Sequence, residues 1–277
     1  MKKGGKSMKS HLKRHFNLLL AVLLVLTMIP VSTIKVSAKA TTAATTAKQT
    51  TKKADKKTTK KKIKKTKKAK KQRMVFIAAG HQQRGISSTE RLAPGSSRRK
   101  AKLTSGTAGV RTHIPEYKTN LAIAKAAKKE LEKRGYKVIM LRTTNNCPLS
   151  NQQRTKKANA SGADIHICIH CNASGASAQG PLVCVPGSSR YVGKKIFNSS
   201  RKLGSCLLSS VAKAVNKRSH GTIRSDYYTT INWAKIPTMI LECGFLTNST
   251  EDRQLNSASY QKKLAKGIAN GVDKYFK

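Results

Sequence analysis

The sequence predicts a single three-layer α/β domain, with a central mostly parallel sheet flanked by helices, preceded by a disordered basic segment. Three observations point there. Short apolar runs alternate with helix-periodic stretches throughout residues 74–277, the pattern of a parallel sheet with helical crossovers. Residues 39–73 are almost only Lys, Thr and Ala, which cannot bury enough apolar surface to offset chain entropy. Residues 74–277 number 204, enough for one domain with a substantial core.

The first stretch, 1–38, has a basic start at Lys2, Lys3, Lys6, Lys9, Lys13 and Arg14. An apolar run from Phe16 to Val31 and the small-residue pattern Val36-Ser37-Ala38 follow. That order describes a cleaved secretory signal peptide, and the run is shorter than the roughly 20 residues a membrane span requires. Residues 39–73 carry sixteen basic side chains against the single Asp55 and read as a solvated linker. Such a linker is also suited to anionic cell-wall polymers or a membrane surface, bound in a salt-dependent way. The formal net charge of +46 is equally the footprint of a nucleic-acid binder. The export signal argues against that partner, so the expected location is secreted and wall-associated.

Within 74–277, Met74 to Ala79 reads as a strand entering a Gly-His turn, and 86–115 as a long polar loop. Tyr117 to Arg134 places Leu121, Ala124, Ala127 and Leu131 at helical spacing, and Gly135 stops that helix. Tyr136 to Leu141 is a strand, and 150–160 a helix with Ser150 as its cap. Asp164 to Cys171 and Pro181 to Val185 are strands, and Val192 to Asn216 is helical with a break expected at Gly204. Thr238 to Glu242 is a buried strand, and Ser257 to Phe276 a closing helix with Leu264, Ile268 and Val272 on one face.

Ligand sites in open α/β sheets lie at strand ends, so polar residues there are the informative ones. They are His81 after the first strand, His170 ending IHICIH, and Glu242 ending TMILE; Glu116, at the start of the first long helix, is a fourth. Two His and two Glu suit a hydrolytic zinc centre, with three of them as ligands and one carboxylate moving protons. The gaps of 35, 54 and 72 residues form no short metal motif, so spacing leaves structural roles open: dipole capping for Glu116, core packing for either His.

Five motifs in order narrow this: FIAAGH, E-x3-N-L-x-I-A from Glu116 to Ala124, LEKRGYKVIMLR, R-x3-A-N from Arg154 to Asn159 with IHICIHCNA, and IPTMILECGFLTN. Over residues 74–276 the chain resembles the zinc-dependent N-acetylmuramoyl-L-alanine amidases, bacterial cell-wall hydrolases of the amidase-3 type. The resemblance implies that His81, Glu116 and His170 hold Zn2+, that Glu242 is the catalytic acid/base, and that the substrate is peptidoglycan. The chain departs from the family pattern at Ala78-Ala79, where members commonly carry Asp-Pro, and at Gln82, where a Gly usually follows the His. Those departures motivate the alternative of a non-catalytic polyanion- or wall-binding protein on a degenerate amidase scaffold. Glu90 and His113, in the long loop, are rivals to Glu116.

Six cysteines, an even number in an exported chain, would suit disulfides, yet Cys168, Cys171, Cys184 and Cys243 fall in or beside buried strands, so reduced thiols are expected. A His166/Cys168 metal pair and a nucleophilic Cys171 or Cys243 are the competing chemistries. Arg224, Asp226, Tyr227, Tyr228, Asn232 and Trp233 cluster before the last strand, as sugar- and peptide-binding groups or as structural anchors. Arg154 and Asn159 are expected to fix loops near His170.

Overall fold

The computed structural model describes residues 72–277. The predicted signal peptide, 1–38, and all but the last two residues of the basic segment 39–73 lie outside the described residues. The chain runs β1 (Met74–Ala79), β2 (Ile86–Arg91), β3 (Arg99–Leu103), α1 (Glu116–Lys133), β4 (Lys137–Met140), α2 (Asn151–Ala160) and β5 (Ile165–Asn172). It continues through β6 (Leu182–Val185), α3 (Gly193–Val215), β7 (Gly221–Arg224), α4 (Thr229–Asn232), β8 (Thr238–Phe245), α5 (Ser249–Leu255) and α6 (Ala258–Phe276).

Six strands form one sheet in the order β4-β1-β5-β8-β6-β7. Every neighbouring pair is parallel except β6 with β8. Period-2 alternation sends Ile165, Ile167, Ile169 and Cys171 of β5 into a core shared with Leu121, Ala124, Leu207, Val211, Leu264 and Ile268 of α1, α3 and α6. Cys168 of the same strand faces the opposite layer, with Phe76, Ala78, Ile240, and Ala158 and Ile231 of α2 and α4. The sheet is therefore covered on both faces, as a parallel sheet requires. Local signals agree with these elements. Ser150 caps α2 in a capping box with Gln153. Gly135, at φ 83°, donates its N–H to Glu132 O and closes α1.

Several elements differ from the sequence expectation. The predicted 86–115 loop contains the β2–β3 hairpin, whose strands are almost wholly polar and whose buried apolar anchors near it are Leu92, Ala93 and Leu103. Edge strand β7 is mostly exposed and lacks the apolar pattern that marks a strand. Helix α3 continues through Gly204, because a Cβ there would lie 2.6 Å from Val185 Cγ1; the glycine lets the helix lie on β6 and does not break it. Strand β8 runs to Phe245, beyond the expected end at Glu242. No helix among the described residues is long and apolar enough to cross a membrane.

Because β1, β5 and β8 are adjacent and parallel, their C-terminal ends share one edge. His81 lies two residues past the end of β1, and His170 lies opposite Glu242 in the β5–β8 register. Glu116 opens α1. Four side chains distant in sequence are thus delivered to one place by topology.

Candidate metal centre and catalytic pocket

His81, Glu116 and His170 bring one ligand atom each to within 4.8 Å of one another, the one such metal-competent group among the described residues. The Glu116 carboxylate sits between the two imidazoles, with His81 Nε2 3.3 Å from Oε2 and His170 Nδ1 3.1 Å from Oε1. The rings meet edge to face, with centroids 4.7 Å apart. His81 Nδ1 lies 2.7 Å from the Thr104 carbonyl, which can only accept, so Nδ1 carries a proton, and in the neutral ring Nε2 presents its lone pair. Asn120, one helical turn beyond Glu116, donates Nδ2–H to Glu116 Oε1 at 3.0 Å; Cys171 N–H donates to the same oxygen at 3.2 Å and Thr107 N–H to Oε2 at 3.1 Å. Two nitrogens and a held carboxylate oxygen match the donor set of hydrolytic zinc sites.

The backbone carrying His81 is itself gripped. His81 has φ 56°, in the left-handed region that non-glycine residues seldom occupy. Buried Arg154 donates to the carbonyls of His81, Cys147 and Leu149. Buried Arg142 donates to the carbonyls of Ala79, Gly80 and Tyr117. Gln82 is buried; its Oε1 accepts from Cys147 N–H and its Nε2 donates to Arg84 O. Gly106 closes the other side, where a Cβ would come within 2.5 Å of Glu116 Oε2 and 2.9 Å of His81 Cδ2.

Electrostatics separates the two carboxylates. Burial would push Glu116 up, but hydrogen bonds and charge from His170 and His81 outweigh it and hold the carboxyl well below its ordinary value. Glu242 is pushed well above its ordinary value, by burial first and then by the Glu116 charge. Burial works against a charged His81, yet Glu116 and the Thr104 carbonyl raise its value, whereas burial prevails at His170 and lowers it. Glu242 Oε2 is buried and has no hydrogen-bond partner. The residue lines a cavity of about 220 Å³ together with His81, Lys100, His170, Tyr228 and Ile240, among others. A second opening, about 240 Å³, reaches Glu242 past Gly106, Glu116 and Asn172. A larger surface cavity, about 660 Å³ between 174–179 and 216–220, contains none of these residues.

The rival residues lie elsewhere. Glu90 is buried with Oε1 accepting the Gln152 N–H at the start of α2, and exposed His113 is outside the cluster. His166 and Cys168 touch, with Nε2 and Sγ 3.2 Å apart, but no third ligand joins them; burial drives His166 down to about 3 and Cys168 up to about 12. All six cysteines are free and buried. Burial pushes the Cys171 thiol well above its ordinary value, with Cys243 beside it adding to the shift, the opposite of what a nucleophile needs.

Of the cluster before β8, most members anchor structure. Trp233 Nε1–H donates to Arg91 O and Asn232 Nδ2–H to Leu92 O, tying down the hairpin. Asp226 accepts from Gly187 and Ser188. Arg224 is exposed on β7. Tyr228 lines the cavity and half-exposed Tyr227 lies beside it. Asn159 bonds Trp233 O and Lys235 N–H, and Arg154 fixes the loop at His81, whose ring meets that of His170. Sequence reasoning missed Lys100, Thr104 and Gly106, and it quoted Asn120 and Arg142 only as motif members without a role. Asn120 left a further signal, the i,i+4 spacing from Glu116.

The chain is similar to known proteins over most of its described residues. The family model described as N-acetylmuramoyl-L-alanine amidase matches residues 75–274. The protein YqiI of Bacillus subtilis is 33% identical over 157 residues, which are 57% of this chain and 72% of that protein. The N-acetylmuramoyl-L-alanine amidase LytC of Bacillus subtilis is 28% identical over 163 residues, 58% of this chain but only 31% of LytC. The crystal structure of an N-acetylmuramoyl-L-alanine amidase from Clostridium difficile superposes with a TM-score of 0.60 at 27% identity, covering 74% of this chain and 97% of that one. The chain belongs to the amidase-3 family of N-acetylmuramoyl-L-alanine amidases.

Proposed function

We propose that residues 74–277 form a zinc-dependent catalytic domain that hydrolyses the amide bond between N-acetylmuramic acid and L-alanine in peptidoglycan. His81, Glu116 and His170 would hold the metal and Glu242 would act as general acid/base. The observation that carries this reading is the convergence of three ligand atoms within 4.8 Å beside the unpartnered Oε2 of Glu242, inside a fold of the amidase family. A Zn2+ ion bound there would supply Lewis acidity, polarising the scissile carbonyl and lowering the pKa of water toward about 7.

The protein's own part follows from its geometry. Thr104 O fixes the His81 tautomer, and Asn120, Thr107 and Cys171 orient Glu116. Glu242 takes a proton from the attacking water as the new carbon–oxygen bond forms. It returns that proton to the alanine nitrogen as the carbon–nitrogen bond breaks, so the amine leaves neutral and the muramoyl carboxyl is freed. A carboxyl whose surroundings favour the protonated form is suited to hold the proton between the two steps.

The same reading puts the enzyme outside the cell. Residues 1–38 would direct export with cleavage near Ala38, and the Lys-rich 39–73 would hold the mature enzyme on anionic wall polymers or the membrane surface. Digestion of purified peptidoglycan, with and without chelator, tests the activity. Free L-Ala amino termini and intact glycan strands are expected, disappearing with chelator and returning with zinc. Cleavage within the peptide stem or the glycan would refute the assignment.

A further inference from the structure

We propose that Lys100 is a specificity-determining residue whose ammonium receives the free α-carboxylate on the second residue of the peptide stem. The inference rests on the amidase reading above. Three observations carry it. Lys100 lines the same 220 Å³ cavity as Glu242, His81 and His170. It is held in place: Nζ donates to Tyr227 O at 3.0 Å and stands 3.9 Å from the centroid of the Tyr227 ring. The hairpin that carries it is pinned by Trp233 and Asn232.

The third observation is a missing counter-charge. Lys100 forms no ion pair among the described residues. Its cross-strand neighbour Glu90 turns its carboxylate to the Gln152 N–H, and the nearby Asp226 carboxylate accepts from Gly187 and Ser188. Arg98, 5.1 Å from the same Tyr227 ring, adds more positive charge. A half-buried ammonium with one donor on a neutral carbonyl and another face against the Tyr227 ring still keeps a donor for an anion.

The substrate supplies that anion. In peptidoglycan the residue after L-Ala is D-glutamate joined through its γ-carboxyl, which leaves its α-carboxylate free or converted to a carboxamide. That group lies roughly 7 Å of extended chain, two residues, from the scissile bond. A cation in the wall of the catalytic cavity would therefore separate carboxylate stems from amidated ones.

Two soluble substrates differ only in this group: N-acetylmuramoyl-L-alanyl-γ-D-glutamyl-L-lysine and its isoglutaminyl counterpart. The zinc-loaded wild type should favour the carboxylate form by about tenfold in kcat/KM, mostly through KM, and about 0.5 M salt should narrow the ratio. Lys100→Met should bring the ratio to within about twofold, and Lys100→Arg should restore part of it. Lys100→Gln, which keeps a donor for Tyr227 O without charge, serves in place of Lys100→Met should that variant not fold. Equal wild-type rates on both substrates, or a preference that survives loss of the charge, would overturn the Lys100 assignment and leave the amidase reading intact. If the wild type cleaves neither, the amidase reading fails first and takes this proposal with it.

Discussion

Two carboxylates stand on one edge of one sheet and have opposite surroundings. Glu116 lies at the head of α1, where three N–H groups and two imidazoles converge on its oxygens. Glu242 lies on β8, where one oxygen is buried with no partner at all. The first is held well below its ordinary value and the second well above it. Both are glutamates; what separates them is hydrogen-bond supply, burial and the charge close by. A carboxylate saturated with donors is a fixed anion, suited to holding a cation. A carboxyl starved of donors, with a negative charge close by, favours holding a proton and is suited to passing it on.

Isosteric substitution breaks the pair apart most strongly. Glu242→Gln should retain zinc at about one per chain, yet lose roughly 10²–10⁴-fold in turnover of peptidoglycan, the range for a general acid/base. Glu116→Gln should lose both activity and stoichiometric zinc, because a neutral amide is a poor ligand and leaves two imidazoles alone. Metal analysis alongside turnover separates the variants. Zinc loss from Glu242→Gln, with zinc kept in Glu116→Gln, would exchange the two roles.

The next effect tests the frame around the cluster. Arg154 reaches across to the carbonyl of His81, whose φ of 56° needs an external hold. Arg154→Lys keeps the charge but not the three-way fork to His81, Cys147 and Leu149. Zinc affinity should fall by about 10–100-fold, the scale for partners that orient a ligand without touching the metal, while the wall-cleavage products stay the same. Unchanged zinc affinity by competitive chelation would show that His81 is held without Arg154.

How far this was legible in the sequence depends on what kind of signal each part left. Apolar runs betrayed β1, β5, β6 and β8, and helical spacing betrayed α1, α3 and α6, because burial writes a period into the chain. The convergence of His81, Glu116, His170 and Glu242 left no period. Their sequence gaps are arbitrary, and what unites them is parallel pairing of β1, β5 and β8, which local pattern does not encode. The hairpin was invisible for a different reason. ISSTER and RKAKL pair through backbone bonds with mostly solvent-facing side chains, so neither strand alternates apolar and polar residues. Its anchors, Trp233 and Asn232, come from about 140 residues later in the chain. Lys100 stayed hidden with the hairpin, one lysine among many.

The smallest effect, a few degrees of melting temperature, gives the most direct reading of the contrast. In the metal-free protein Glu116 is depressed below 4.5, so the stability it contributes is full above its unfolded value and is lost as pH falls through its folded one. Glu242 is raised above 4.5, so its contribution is full at acid pH and is lost as pH rises through its folded value. Neutral amides remove both dependences. At pH 7 Glu116→Gln should therefore melt lower than wild type, and Glu242→Gln higher, each by about 2–4 °C per kcal/mol for a domain of this size. Both differences should shrink as the pH is taken below 4.5, since the wild-type carboxyls then approach the neutral form that glutamine mimics. Melting curves recorded with chelator across that range check the sign for each variant. Shifts in the same direction at neutral pH would mean that the two surroundings do not differ in the way their hydrogen bonds imply.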